Sequence, residues 1–181
     1  MLIAVCLPAF SGTELQDRIF TKAKETKSMT SVFIQKRQLS VLPLPLVSNG
    51  LFSYHHETGI VWDTLEPIQS RIIISKRGIQ TQDQYSAVKT EGSSQFSEIL
   101  LSLFSGDSVT LKRYFSIRVK GDTQQWNLVL EPINNLVAAQ IALISIKGSE
   151  SVESLYILES GGDYSNIEFS SSTASLFNKK L

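Results

Sequence analysis

The chain has 181 residues, enough for one domain with a real core, and 42% of them are hydrophobic against 19% charged. Seventeen basic and seventeen acidic side chains balance to zero net charge, which speaks against a nucleic-acid binder or a polybasic membrane patch. Cys6 is the one cysteine, so an intrachain disulfide is excluded, and no apolar run reaches the roughly 20 residues of a membrane-spanning helix.

Leu2 to Phe10 is almost wholly apolar, broken at Pro8, and small residues alternate through Ala9-Phe10-Ser11-Gly12. This pattern matches the end of a secretory apolar region and its cleavage site, with the charged leader start missing. Residues 1–12 are therefore expected to be the remnant of a signal peptide on a longer, exported precursor. Residues 13–181 are expected to form a single domain. Val5 stands directly before Cys6, where an acylated lipoprotein cysteine calls for a small residue.

Between Thr13 and Lys27, Leu15, Ile19, Phe20 and Ala23 recur at helical spacing, and Thr13 with Gln16 reads as a capping box. The period changes to two from Ser31 to Gln38, with Val32 and Ile34 against Phe33 and Gln35, so a strand follows. After Pro43 and Pro45, strands are expected over Val47–Tyr54, Gly59–Leu65, Gln69–Lys76 and Ile79–Gln84. Turns fall at His55–Thr58, Pro67 and Arg77-Gly78. Ser94 to Ser105 carries Phe96, Ile99, Leu100, Leu103 and Phe104 on one helical stripe closed by Gly106. Asp107 can cap a further short turn to Lys112.

Tyr114–Lys120 and Gln125–Glu131 form a hairpin about Gly121-Asp122. Pro132 to Asn135 interrupts. Strands then run over Ala139–Lys147, Ser151–Glu159 and Tyr164–Phe169, and Ser170 to Leu181 reads as irregular. About nine or ten short alternating strands argue for one strongly curled antiparallel sheet or barrel rather than βαβ units. The fold class is mainly β with helices, α+β, and the two striped helices need a concave sheet to bury their faces.

The bulky alternating positions define that concave face. Phe33, Phe52, Trp62, Ile72 and Ile74 come from the first half, and Leu100 and Phe104 from the helix over it. Trp126, Leu128 and Leu130 come from the second half, followed by Leu143 or Ile144 with Ile146. Leu155, Ile157, Ile167 and Phe169 complete it. Alternation alone favours a filled core over an open cavity, since every half-buried strand shows it.

The order of motifs adds to this reading. The chain carries Phe33, Gly50, Gly59-Ile60-Val61-Trp62, Leu100-Leu101 with Gly106-Asp107, Trp126-Asn127-Leu128-Val129-Leu130-Glu131-Pro132, and Gly162-Asp163 before Ile167-Glu168-Phe169. Over nearly the whole chain this series resembles the periplasmic outer-membrane lipoprotein carrier (LolA-type) family. The resemblance implies an unclosed β-barrel with helices on its concave side and no catalysis or cofactor. It implies a monomeric carrier that takes the acyl chains of a lipoprotein or lipid-like cargo from an inner-membrane exporter to an outer-membrane acceptor. The best-known carriers have a basic segment with a latching arginine before the strand tryptophan. Here His55-His56-Glu57-Thr58 stands in its place, so no latch carries over. That departure resembles a divergent branch associated with lipid-exporter or aryl-polyene systems, which leaves the cargo open.

Chemistry-bearing constellations are sparse. Adjacent strand or turn histidines point apart, so His55 and His56 do not offer zinc a shared face, and no metal is expected. No Gly-x-Ser-x-Gly elbow or phosphate-binding glycine loop occurs. Asp107, Asp122 and Asp163 read as cap and turn residues. The competing reading is a non-catalytic envelope scaffold with a closed β core; an enzyme is a distant third.

Overall fold

The computed structural model describes residues 12–83, 86–91 and 94–171. The expected leader remnant therefore lies outside the described residues up to position 11, and the Ser-rich end beyond 171 does as well.

The chain runs α1 (Gly12–Glu25), β1 (Ser28–Gln38), β2 (Leu46–His55), β3 (Gly59–Glu66), β4 (Ser70–Ser75), β5 (Gly78–Asp83) and β6 (Ser86–Glu91). It continues through α2 (Ser94–Ser105), α3 (Ser108–Tyr114), β7 (Phe115–Gly121), β8 (Trp126–Pro132), α4 (Asn135–Ala138), β9 (Ile141–Gly148), β10 (Val152–Glu159) and β11 (Tyr164–Ser170). The strands form one eleven-stranded sheet in the order β6-β5-β4-β3-β2-β1-β11-β10-β9-β8-β7. Every neighbouring pair is antiparallel. Two meanders are thus joined where β1 pairs with β11. Among the described residues β6 and β7 remain edges, and α2 and α3 carry the chain from one edge to the other. The barrel is unclosed.

Register explains why one face is apolar. Phe33 lies opposite Gly50 on one side and Phe169 on the other. Phe52 pairs with Trp62, Trp62 with Ile72, and Ile60 with Ile74. In the second meander Ile167 pairs with Leu155, Leu155 with Ile146, Ile146 with Leu128, and Leu130 with Ile144. Side chains directly opposite in an antiparallel sheet share a face, so all these positions point to the concave side. Of Leu143 and Ile144, it is Ile144 that is buried inward.

The β2–β3 register slips between Asn49 and Gly50. A Cβ on Gly50 would stand 1.9 Å from the Asp63 carbonyl oxygen. Only glycine lets β3 fold this closely over β2, and such bulges add local twist. Phe33, opposite Gly50, and Phe52 are both fully buried.

Several local expectations are corrected. Gly12 is already helical in α1, so Thr13 lies within the helix instead of capping it. Tyr114 closes α3 and is not the first residue of a strand. Its hydroxyl donates to the Glu98 carboxylate at 2.6 Å and ties α3 to α2. The Pro132–Asn135 interruption holds α4, capped by the Asn134 side chain, which accepts from the Leu136 and Val137 N–H groups and turns Val137 into the core. The strand count is eleven, because Ser86–Glu91 pairs with β5 as an edge strand. Its sequence, Ser-Ala-Val-Lys-Thr-Glu, has too few apolar positions to announce it. Asp107 caps α3 as expected: its carboxylate accepts from the Thr110 N–H at 3.1 Å and the Thr110 hydroxyl at 2.7 Å. These bonds, led by the Thr110 hydroxyl, hold its pKa below the ordinary carboxylate range.

Candidate functional site

Helix α1 packs on β7 and α2, while α2 packs on β4, β5 and α3. The helices therefore occupy the concave side unevenly. Under α1 a cavity of about 800 Å³ remains. Tyr54 of β2 and Trp126 of β8 both line it, although four strands stand between them in the sheet. A sheet must curl strongly to bring them together.

The deep wall is apolar: Trp126, Leu128 and Leu130 from β8, Ile146 from β9, and Phe104 from α2. Helix α1 contributes Leu15, Ile19, Phe20 and Ala23 from the stripe that gives it amphipathic character. Met29, at the start of β1, fills one corner. Burial pushes the Tyr54 phenol pKa up, because the phenolate would lose water.

The rim is polar. Asp17, Arg18, Thr21, Lys22 and Glu25 of α1 face Thr123 and Gln124 in the β7–β8 turn and Ser149, Glu150 and Ser151 in the β9–β10 turn. The Lys22 ammonium donates to the Glu150 carboxylate, joining α1 to the β9–β10 turn across the rim. Lys22, chiefly through that hydrogen bond and also through its charge, lowers the Glu150 pKa from its ordinary value of 4.5.

Rings gather in the other half of the concavity. Phe52 packs with its ring centre 4.7 Å from Phe104, 5.1 Å from Phe169 and 5.3 Å from Trp62. Phe33 lies 4.7 Å from Trp62. Tilted and edge-on contacts at these separations are those that favour aromatic packing. Phe104 belongs to both halves and forms the partition.

The expected positions divide accordingly. Phe104, Trp126, Leu128, Leu130 and Ile146 stand on the cavity wall. Phe33, Phe52, Trp62 and Phe169 join the aromatic cluster. Ile72, Ile74 and Leu100 pack around the first meander, and Ile144, Leu155, Ile157 and Ile167 pack beneath the second, all outside the cavity lining. The two tryptophans share a face, and of the two Trp126 lines this cavity. The α1 stripe and Tyr54 were not among the expected lining residues, although Leu15, Ile19 and Phe20 are legible as an apolar helix face that has to be covered.

Among the described residues no group of three or more His, Cys, Asp or Glu side chains gathers at one place. No described helix is long and apolar enough to cross a membrane.

An antiparallel sheet curled into an open barrel, with helices inside the curl and a cavity beneath one of them, defines the class. The sequence matches the model of the family described as outer membrane lipoprotein carrier protein LolA over residues 24–180, and the chain belongs to that family. By its description it is a family of carriers. A comparison with curated proteins gives no match. Among solved structures, the chain is similar to a LolA superfamily protein from Nitrosomonas europaea at 12% identity and TM-score 0.48, covering 91% of this chain and 98% of that one. It is also similar to a DUF1329 family protein from Desulfovibrio piger at 11% identity and TM-score 0.47, covering 87% of this chain and 89% of that one.

Proposed function

We propose that the protein is a monomeric periplasmic carrier that holds the acyl chains of a lipoprotein or lipid-like cargo between an inner-membrane exporter and an outer-membrane acceptor. The observation that carries this reading is the apolar cavity under α1, whose volume of about 800 Å³ falls within the ~300–1,000 Å³ of ligand sites. Acyl burial there is favourable by ~0.8 kcal/mol per CH₂, and it needs no catalytic group. The polar rim suits a ligand whose head remains in water while its chain goes under the helix. Release must also be possible, and a cavity roofed by one helix can open without unpairing the sheet.

A scaffold with a closed core has one observation in its favour: the aromatic rings about Phe52 pack closely together in the other half of the concavity. The deciding experiment is native mass spectrometry of protein extracted gently from its host envelope, with identification of any released lipid. A stoichiometric acyl-bearing ligand supports the carrier. Protein that is ligand-free from the host, and that takes up no fluorescent fatty acid when titrated, overturns it in favour of the scaffold.

A further inference from the structure

The polar groups that line the cavity under α1 fall into two sets. The charged set is Asp17, Arg18, Lys22, Glu25 and Glu150. Lys22 is held by Glu150, and Arg18 is engaged as well. Asp17 and Glu25 make no ion pair or hydrogen bond among the described residues. Both cations of the lining thus have partners, while two of its carboxylates have none. Lys24, Lys27, Lys120 and Lys147 stand near in sequence, but none of them lines the cavity, and the charge of Lys24 acts on Asp107. A carboxylate head binds best to charge-assisted donors from Arg or Lys. At this rim it would instead meet two unpartnered charges of its own sign.

The uncharged set suits a different head. Several of its donors are already used: the Thr26 hydroxyl donates to the Lys22 carbonyl at 3.1 Å, the Ser149 hydroxyl to Glu153, and the Trp126 indole N–H to the Ser149 carbonyl. Tyr54 differs from these. It is 3% exposed and lines the cavity from β2. Met29, its register partner, lines the cavity too, and Glu25 stands four residues before Met29. The Tyr54 hydroxyl has the His56 ring Nδ1 as its contact at 3.4 Å, longer than an ordinary hydrogen bond. A hydroxyl has one proton and two lone pairs to place, so this contact leaves capacity for a ligand. Burial raises the phenol pKa, which keeps the group protonated and a donor. A few polar groups on a mostly apolar wall are what orient a ligand in such a pocket. The groups left over, Thr21, Ser28, Thr123, Gln124 and Ser151, are also uncharged.

We infer that the cavity takes acyl chains whose carboxyl is linked as an ester or an amide, with Tyr54 donating to the linkage carbonyl, and that Asp17 and Glu25 select against the free carboxylate. The inference rests on the carrier reading and deepens it. An ester or amide carbonyl accepts a hydrogen bond without bringing a charge to a rim that has no cation to spare. A free fatty acid still enters on the strength of its chain, but more weakly.

The test is competition against the neutral dye N-phenyl-1-naphthylamine by 1-oleoylglycerol, oleoylethanolamide and oleate, which carry the same chain, at a mildly alkaline pH that ionises oleate. The readout is the ratio of affinities, neutral ligand over oleate, so a change that merely loosens the cavity cancels. At low salt the parent should favour the ester and the amide at least about fivefold. High salt should shrink the ratio without abolishing it, because it screens the carboxylates and leaves the Tyr54 hydrogen bond in place. The double variant Asp17→Asn, Glu25→Gln should lower the ratio by strengthening oleate. Tyr54→Phe should lower it by weakening the ester and the amide. Melting curves serve as the fold control for both. Equal affinities in the parent, tightest binding of oleate, or the parental ratio in either normally melting variant overturns the inference and leaves the carrier reading standing. A ratio that vanishes at high salt overturns the part given to Tyr54, and one that salt leaves unchanged overturns the part given to the carboxylates. A parent that takes up neither the dye nor any of the three ligands overturns the carrier reading itself.

Discussion

The Trp126 indole N–H donates to the Ser149 carbonyl at 2.7 Å, pinning a large ring of β8 on the cavity wall against the β9–β10 turn. Its register partner is Gly148, and the ring lies directly on it. The ring so held borders the same cavity that Leu128 and Ile146 line.

Gly148→Ala tests that placement. A Cβ at this position would stand 2.5 Å from the indole and 2.2 Å from the Ser151 carbonyl, so the ring or the turn has to move. Overpacking of this kind costs about 1–3 kcal/mol. We expect a lower melting temperature, a red-shifted tryptophan emission and weaker fatty-acid binding. Unaltered emission and binding would mean that the ring does not shape the cavity.

The two tryptophans should report ligand unequally. Trp126 lines the cavity, while Trp62 is held between Phe33 and Phe52 outside its lining. In Trp62→Phe the emission change on adding a fatty acid should persist, and in Trp126→Phe it should vanish although the protein remains folded. A response that follows Trp62 instead would place the ligand in the aromatic half.

Leu128→Glu separates a hollow site from a packed one. Leu128 is 4% exposed and sits midway along the cavity wall. In a filled core an unpaired carboxylate costs about 3–5 kcal/mol. Beside an open cavity it retains water, so the melting temperature should fall by only a few degrees while acyl binding is lost. Collapse of the fold, with a parent that binds no fatty acid, would support the closed-core scaffold.

Much of this architecture is legible in sequence because alternation and capping act locally. Helix α2 announces itself by Phe96, Ile99, Leu103 and Phe104, Asp107 announces α3, and the strand positions from Phe33 to Phe169 report their facing correctly. Alternation does not report what stands across from a face. Phe33 and Leu128 carry the same signature, yet one is packed among rings and the other lines a cavity, because α1 and α2 roof the two halves differently. That difference arises from tertiary docking, which has no periodic trace. Helix α4 and β6 escaped notice for the opposite reason: one is a four-residue turn, the other a polar edge strand.

The Lys22–Glu150 tie predicts a pH-dependent mouth. Both groups are largely in water, so the pair adds little to stability; its consequence is positional, holding α1 to the β9–β10 turn. The Glu150 pKa lies below its ordinary 4.5 because Lys22 hydrogen-bonds to the ionised form and attracts its charge. For a carboxylate lowered in the folded state, the linkage is in force above the ordinary value and is lost as pH falls through the lowered one. Uptake of a fluorescent fatty acid should therefore proceed at a constant rate from neutral pH down through the ordinary carboxylate range, and accelerate only below it. Lys22→Gln should give the faster rate already at neutral pH, with an unchanged melting temperature. Stopped-flow uptake across that pH series, parent beside variant, is the measurement, and identical rates for the two proteins at neutral pH would show that α1 opens without breaking this tie.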